Sequence, residues 1–137
     1  MTRSRDGVLF AIPVQAMCEL LGVSSSRPVT ATLSLTELAA HGGRTGPHKD
    51  GWGVAYYMGH DVRLLKDAEP AATSELVEFI EGHRFRSQLV IGHVRRRSRG
   101  RVSYANTHPF RTRNRRLGPR LRPQRIAVNS KKPGCTK

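Results

Sequence analysis

The chain is 137 residues long, with 24 Lys and Arg against 10 Asp and Glu and a net charge of +14, a length that suits one domain with a core of its own. A charge of that size ordinarily marks nucleic acid or an anionic membrane surface as partner, yet ten of the 24 basic residues crowd into residues 111–137, where there is no Asp or Glu, and residues 1–110 keep 14 basic against 10 acidic, a net of only +4. Two cysteines, Cys18 and Cys135, are too few for a disulfide framework and point to a reduced, cytoplasmic setting, while no run approaches the roughly eighteen apolar residues of a membrane span.

Residues 1–16 imitate a secretory leader, with Arg3 and Arg5, a short apolar core and Val14-Gln15-Ala16 as a cleavage-like site. The core is too short for that role and holds Pro13, so residues 1–17 read as a mis-chosen start upstream of Met17, or as a short propeptide. Cys18 to Val23 is mostly apolar and predicts a central strand buried on both faces, ended as a turn by Ser24-Ser-Ser-Arg-Pro28. Ser34 to Ala40 reads as a helix, with Ser34 as N-cap and Glu37 at the capping-box spacing; Leu35, Leu38 and Ala39 share its apolar face, and His41-Gly42-Gly43 stops it.

Gly42 to Gly53 is a glycine-rich loop without the spacing of a phosphate-binding loop. Gly53 to Met58 reads as a strand, Gly59-His60-Asp61 as a tight turn, and Val62 to Lys66 as the returning arm of a hairpin. Thr73 to Glu81 has a helical period, with Leu76, Val77 and Ile80 on one face, Glu75, Glu78 and Glu81 on the other and Gly82 as C-cap. Ser87 to Val94 is a further buried strand with His93 and Arg95 at its end. Residues 111–137 show neither period and predict a solvated, unpacked tail, with at most non-specific affinity for anions or RNA.

Two features carry chemistry. A cysteine at a chain terminus owns both a thiol and an α-amine of pKa about 7.7–8.0, a nucleophile with its own base; were residues 1–17 absent, Cys18 would be such a residue, and otherwise it reads as a buried small hydrophobe. Arg95-Arg-Arg-Ser-Arg-Gly-Arg101 reads on composition as a basic surface run. The six histidines, His41, His48, His60, His83, His93 and His108, show no metal-ligand spacing, so neither metal nor cofactor is expected.

Four segments, Met17-Cys-Glu-Leu-Leu-Gly-Val23, Gly42-Gly-Arg-Thr-Gly-Pro-His-Lys-Asp-Gly-Trp-Gly-Val-Ala-Tyr-Tyr57, Gly92-His-Val-Arg95 and Asn106-Thr-His-Pro-Phe110, together resemble the class-II glutamine amidotransferases, and most closely their stand-alone YafJ-type branch. The resemblance covers residues 17–110 and implies an α+β fold, an incomplete four-layer αββα sandwich of the N-terminal-nucleophile hydrolase type, in a partial domain spanning 18–110. It implies hydrolysis of the amide of glutamine, or of a γ-glutamyl compound, to release ammonia. Cys18 would be the nucleophile and Arg95 the holder of the substrate carboxylate, with Ser98 and Gly100 as further substrate-binding candidates; the crowding of Arg96, Arg97 and Arg99 departs from the family pattern. His108 would be structural.

The resemblance ends at Phe110. The His-Asn-Gly segment that supplies oxyanion donors in the family has no counterpart, since Ala127-Val-Asn-Ser130 comes late and lacks the glycine. Truncation or a frameshift after about residue 110 accounts for both the ending and the Arg/Pro-rich tail, and little glutaminase activity is expected of the chain as written. The alternatives are a small basic nucleic-acid-binding protein, which the 6% aromatic content and absent motifs disfavour, and a non-catalytic remnant.

Overall fold

The computed structural model describes residues 17–113 and 124–127. Its frame is an antiparallel four-stranded sheet with two helices on one face, a mixed α/β arrangement. Strand β1 (Glu19–Val29) is followed by helix α1 (Thr32–His41), strands β2 (Trp52–Met58) and β3 (Asp61–Asp67), helix α2 (Glu75–Gly82) and strand β4 (Ser87–Val94). The spatial order is β1-β4-β2-β3, so β4, the last of the four in sequence, is inserted beside the first.

Strand β1 differs from expectation in two ways. It lies at the sheet edge, not the centre, with Leu21 and Val23 packed against the core and Leu20 58% exposed; a short apolar run fits one-sided and two-sided burial alike. It also runs through Ser24–Pro28 instead of turning there. Pairing with β4 breaks after Ser24 opposite Leu89 and resumes at Val29 opposite Ser87. Side chains bridge the gap: Gln88 Nε2 donates to the Ser26 carbonyl at 2.9 Å and Arg86 Nη2 to the Pro28 carbonyl at 2.9 Å. Pro28 lacks a donor, and an edge strand is where a proline is tolerated.

Helix α1 begins two residues before Ser34, from Ala31, with no side-chain cap. Burial of Ala31, Leu35 and Ala39 against the sheet sets its start, outweighing a cap contribution of about 1 kcal/mol. Helix α2 follows a short 3-10 turn at Ala71–Thr73, with Ser74 as its N-cap residue and Glu75 and Glu78 in its first turn, where the helix dipole favours them. Ile80 is buried, with Leu76 and Val77 beside it in the core. Gly82 is the last helical residue, and His83 caps the end through its N–H on Ile80 and Phe79.

The helices cover the face carrying Trp52, Val54, Val90 and Val94. On the other face the segment after β4 crosses β2 and β3: Lys66 Nζ donates to the Thr107 carbonyl at 2.8 Å, and the His93 and His108 rings lie 5.0 Å apart. This crossing is possible because residue 53 is a glycine. A Cβ there would stand 2.2 Å from the His108 carbonyl oxygen and 2.8 Å from Pro109 Cδ, a backbone collision that no rotamer relieves. Gly53→Ala is expected to destabilise by about 3 kcal/mol, the upper part of the overpacking range, in urea unfolding. Gly82→Ala, where nothing lies within 4 Å, serves as control and should stabilise by up to about 1 kcal/mol.

Part of the tail is ordered against expectation. Strands β5 (Phe110–Arg113) and β6 (Gln124–Ala127) pair antiparallel, Phe110 opposite Ala127. Arg111 ties β5 to the main sheet by donating to the Val62 carbonyl at 2.9 Å. The rest of the tail expectation, residues 114–123 and 128–137, and the leader, residues 1–16, lie outside the described residues. Among the described residues no helix is long and apolar enough to cross a membrane.

Candidate active site

Cys18 immediately precedes β1, and β1 runs antiparallel to β4 with Glu19 opposite Val94. That register brings the residue before β1 and the residue after β4, Cys18 and Arg95, to one end of the sheet. Cys18 is half-buried, its Sγ 3.5 Å from the Arg96 carbonyl oxygen.

The loop between α1 and β2 forms a second wall. Gly51, at φ +126°, takes a conformation closed to most side chains. It accepts from the Arg95 N–H at 2.7 Å, while the Asp50 N–H donates to the Arg95 carbonyl at 3.0 Å. Asp50 Oδ2 accepts from the Arg97 N–H at 2.7 Å. The glycine-rich loop is thus pinned to the end of β4.

Arg95 is 0% exposed, unlike the surface residue that its basic neighbours suggest. Its guanidinium donates to the carbonyls of Arg101 at 3.1 Å and Arg99 at 3.3 Å, folding residues 96–101 back over it. Its Nε has no hydrogen-bond partner. Among the described residues every ion pair within 4.0 Å involves a histidine, so no carboxylate neutralises Arg95 at that range. Burial lowers its pKa, Asp50 opposes that and Arg97 adds to it. Ser98 and Gly100 are exposed on the folded-back loop, Gly100 at φ +77°.

Behind this end His93 and His108 are buried, 2% and 0% exposed. Desolvation, then the charges of His108, Arg95 and His48, push the His93 pKa down to about 3. Unfolded, a histidine takes up its proton near 6.5. Between about pH 6.5 and 3 the unfolded chain therefore binds more protons than the folded one, and stability falls as pH drops, by up to about 1.4 kcal/mol per unit for this group. Urea unfolding from pH 7 to 4.5 is expected to show that slope, reduced by about one proton in His93→Gln.

The structure also gathers a cluster that the histidine spacing did not reveal. Glu19 Oε2 is 2.6 Å from His41 Nδ1, and Glu19 Oε1 is 3.6 Å from Nδ1 of His48. His48 is 2% exposed. Its Nε2 lies 2.7 Å from the Met17 carbonyl oxygen; a carbonyl only accepts, so Nε2 is the donor. The available signal was strand parity: Glu19 shares a face with Leu21 and Val23 and so points under α1, whose last residue is His41. Among the described residues no three side chains converge to hold a metal.

Residues 17–120 match the family model of the class-II glutamine amidotransferases. The chain is 44% identical to YafJ of Escherichia coli K12 over 94 residues, 69% of this chain and 37% of that protein. It is 34% identical to a protein of Haemophilus influenzae over 97 residues, 71% of this chain and 33% of that one. Both carry glutamine amidotransferase in their names. A protein of Methanocaldococcus jannaschii is 37% identical over 94 residues, 69% of this chain and 26% of its own length. The chain thus spans about a third of these relatives. No solved structure matches it.

Proposed function

The chain belongs to the class-II glutamine amidotransferases, and from that premise we propose that it binds glutamine or a γ-glutamyl compound at the Cys18 end of the sheet and opens the side-chain amide with the Cys18 sulfur. The observation that carries this reading is the meeting of Cys18, Arg95 and the pinned glycine loop at one sheet end, within the matched residues. The Cys18 thiolate attacks the carboxamide carbon. The α-amine of the same residue takes the thiol proton and returns it to the departing ammonia, and water hydrolyses the thioester. An amide nitrogen inside a chain has no basic lone pair, so the competent form is one in which Cys18 is the first residue and reduced. Such a thiol belongs in a reducing compartment such as the cytoplasm.

Arg95 is the receptor for the substrate carboxylate. A buried guanidinium with no carboxylate paired to it within 4.0 Å is costly, and a substrate carboxylate would offset that cost once residues 96–101 give up their carbonyl contacts. Ser98 and Gly100 on that loop then line the substrate. The sheet face opposite the helices, where Leu20 is exposed and Leu89 and Ile91 are half-buried, is where a second sheet completes a four-layer αββα sandwich, in a domain running from Cys18 to about residue 110. Turnover depends on oxyanion donors, each worth about 10²–10³ in rate, whereas the sulfur can be alkylated without turnover. Covalent capture of Cys18 by a diazoketone analogue of glutamine therefore tests the site better than ammonia release. In the reduced protein cut immediately before Cys18, mass spectrometry should find one adduct, on Cys18, which excess glutamine suppresses; an adduct elsewhere, or none, contradicts the reading.

A further inference from the structure

His48 is a buried imidazole placed on the junction that precedes the nucleophile, and the proposed reaction gives it no part. Its Nε2–H holds the Met17 carbonyl oxygen at 2.7 Å, and that oxygen belongs to the peptide group whose nitrogen is the Cys18 nitrogen. The other edge of the ring faces Glu19, which is itself fixed by His41 at 2.6 Å. His41 Nε2 in turn lies 3.6 Å from Glu37. The ring is further confined by the loop backbone, since the His48 N–H donates to the His41 carbonyl and Gly46 has no Cβ where one would come 3.2 Å from the ring. Leaving a buried donor of this kind without a partner costs about 1–3 kcal/mol, which favours a replacement partner once the Met17 carbonyl is gone.

We propose that His48 is a positioning residue for the catalytic amine: when Cys18 is the first residue, the donor that holds the Met17 carbonyl holds a single water against the Cys18 α-amine. This rests on the reading of Cys18 as an N-terminal nucleophile. That water accepts from His48 Nε2–H, donates to the amine lone pair and keeps a second lone pair for the thiol proton. Proton transfer is then balanced: the S–H proton passes to the water, one water proton passes to the amine, and the products are thiolate, ammonium and water. His48 itself neither gains nor loses a proton. Its contribution is a fixed water and a fixed amine, and misplacing such a group by about 1 Å costs up to 10²-fold in rate.

The test uses the full chain with a site-specific protease sequence in place of residues 12–17, folded first, reduced, and then cut immediately before Cys18. The diazoketone analogue is titrated, and the saturating first-order rate of Cys18 modification and the half-saturating concentration are read separately. His48→Gln retains an N–H donor at about the reach of Nε2, whereas His48→Asn and His48→Leu do not. The expected result is a rate about tenfold lower in His48→Asn and His48→Leu, with the half-saturating concentration unchanged and the rate recovered to within about threefold in His48→Gln. Melting temperature and circular dichroism identify any variant that has not folded, and the Gln and Asn pair decides the matter if Leu is that variant. Equal rates in Gln and Asn, or a change confined to the half-saturating concentration, overturn the role of His48 while leaving Cys18 in place. Absence of modification in the cut wild-type protein overturns the Cys18 reading, and this role with it.

Discussion

Alanine at position 18 leaves the reduced and cut protein with no covalent adduct at any concentration of the glutamine analogue, while its melting temperature stays within a few degrees of wild type. The sulfur is the only protein atom in the proposed reaction that forms a covalent bond to substrate carbon, so nothing replaces it. In enzymes where a nucleophile acts with its base, deleting it removes up to about 10⁶-fold of rate, beyond what a labelling experiment detects. Stability changes little because Cys18 is half-buried and lies just before an edge strand. Cys18→Ser discriminates further: it keeps a hydroxyl of nearly the same shape but a far weaker nucleophile, and it is expected to bind the analogue reversibly without being alkylated.

Arg95→Lys raises the half-saturating concentration of the analogue roughly 10- to 100-fold and leaves the saturating rate nearly unchanged. A lysine preserves the charge but offers one ammonium in place of a planar fork, and a charge-assisted hydrogen bond is worth about 1.5–3 kcal/mol. The same change gives up the two donors that hold the Arg101 and Arg99 carbonyls at 3.1 and 3.3 Å, so the melting temperature should fall by several degrees. The two effects separate by using an analogue that lacks the α-carboxylate: its half-saturating concentration should be the same in wild type and Arg95→Lys. If that analogue is weakened as much as the carboxylate-bearing one, Arg95 shapes the loop and does not hold the substrate.

The elements that were legible in the sequence are those with a single physical determinant. Strand β4 lies over Ser87–Val94 as read, because a β-branched and aliphatic centre flanked by polar residues has no good helical alternative. The β2–β3 hairpin was fixed by Gly59-His60 between two residue runs of strand composition, and the helices by the spacing of Leu35, Leu38 and Ala39 and of Leu76, Val77 and Ile80. What misled was local chemistry overridden by packing. Ser34 has the features of a cap, but Ala31 and Leu35 are drawn into the core and the helix starts before it. Ser24–Pro28 has the composition of a turn, but a sheet edge accepts serines and a proline in extended form, and the side chains of Arg86 and Gln88 supply the missing bonds.

The placement of the candidate residues was legible where it follows from register and hidden where it depends on side chains from distant segments. Cys18 and Arg95 could be named from the ordered motifs, and antiparallel pairing of β1 with β4 accounts for their meeting. That Arg95 is sealed beneath its own loop was not visible, because Arg95–Arg101 has the composition of a solvated run. The Glu19, His41 and His48 cluster escaped for another reason: its members are far apart in sequence and share no ligand spacing, and only the parity of Glu19 on β1 hinted that its carboxylate turns inward. The β5–β6 pairing was hidden by the Arg and Pro content of the surrounding tail, which masks two short stretches capable of extension.

The measurement that bears most directly on the account compares one reduced protein before and after the bond preceding Cys18 is cut. The folded full chain with the protease sequence ahead of Cys18 is divided, half is cut, and both halves are treated with the diazoketone analogue of glutamine at pH 7.5. The α-amine supplies general-base catalysis worth about 10²–10⁴-fold, so the cut half should be modified on Cys18 at least about a hundredfold faster than the uncut half. Equal rates in the two halves would contradict the assignment of the terminal amine as the base.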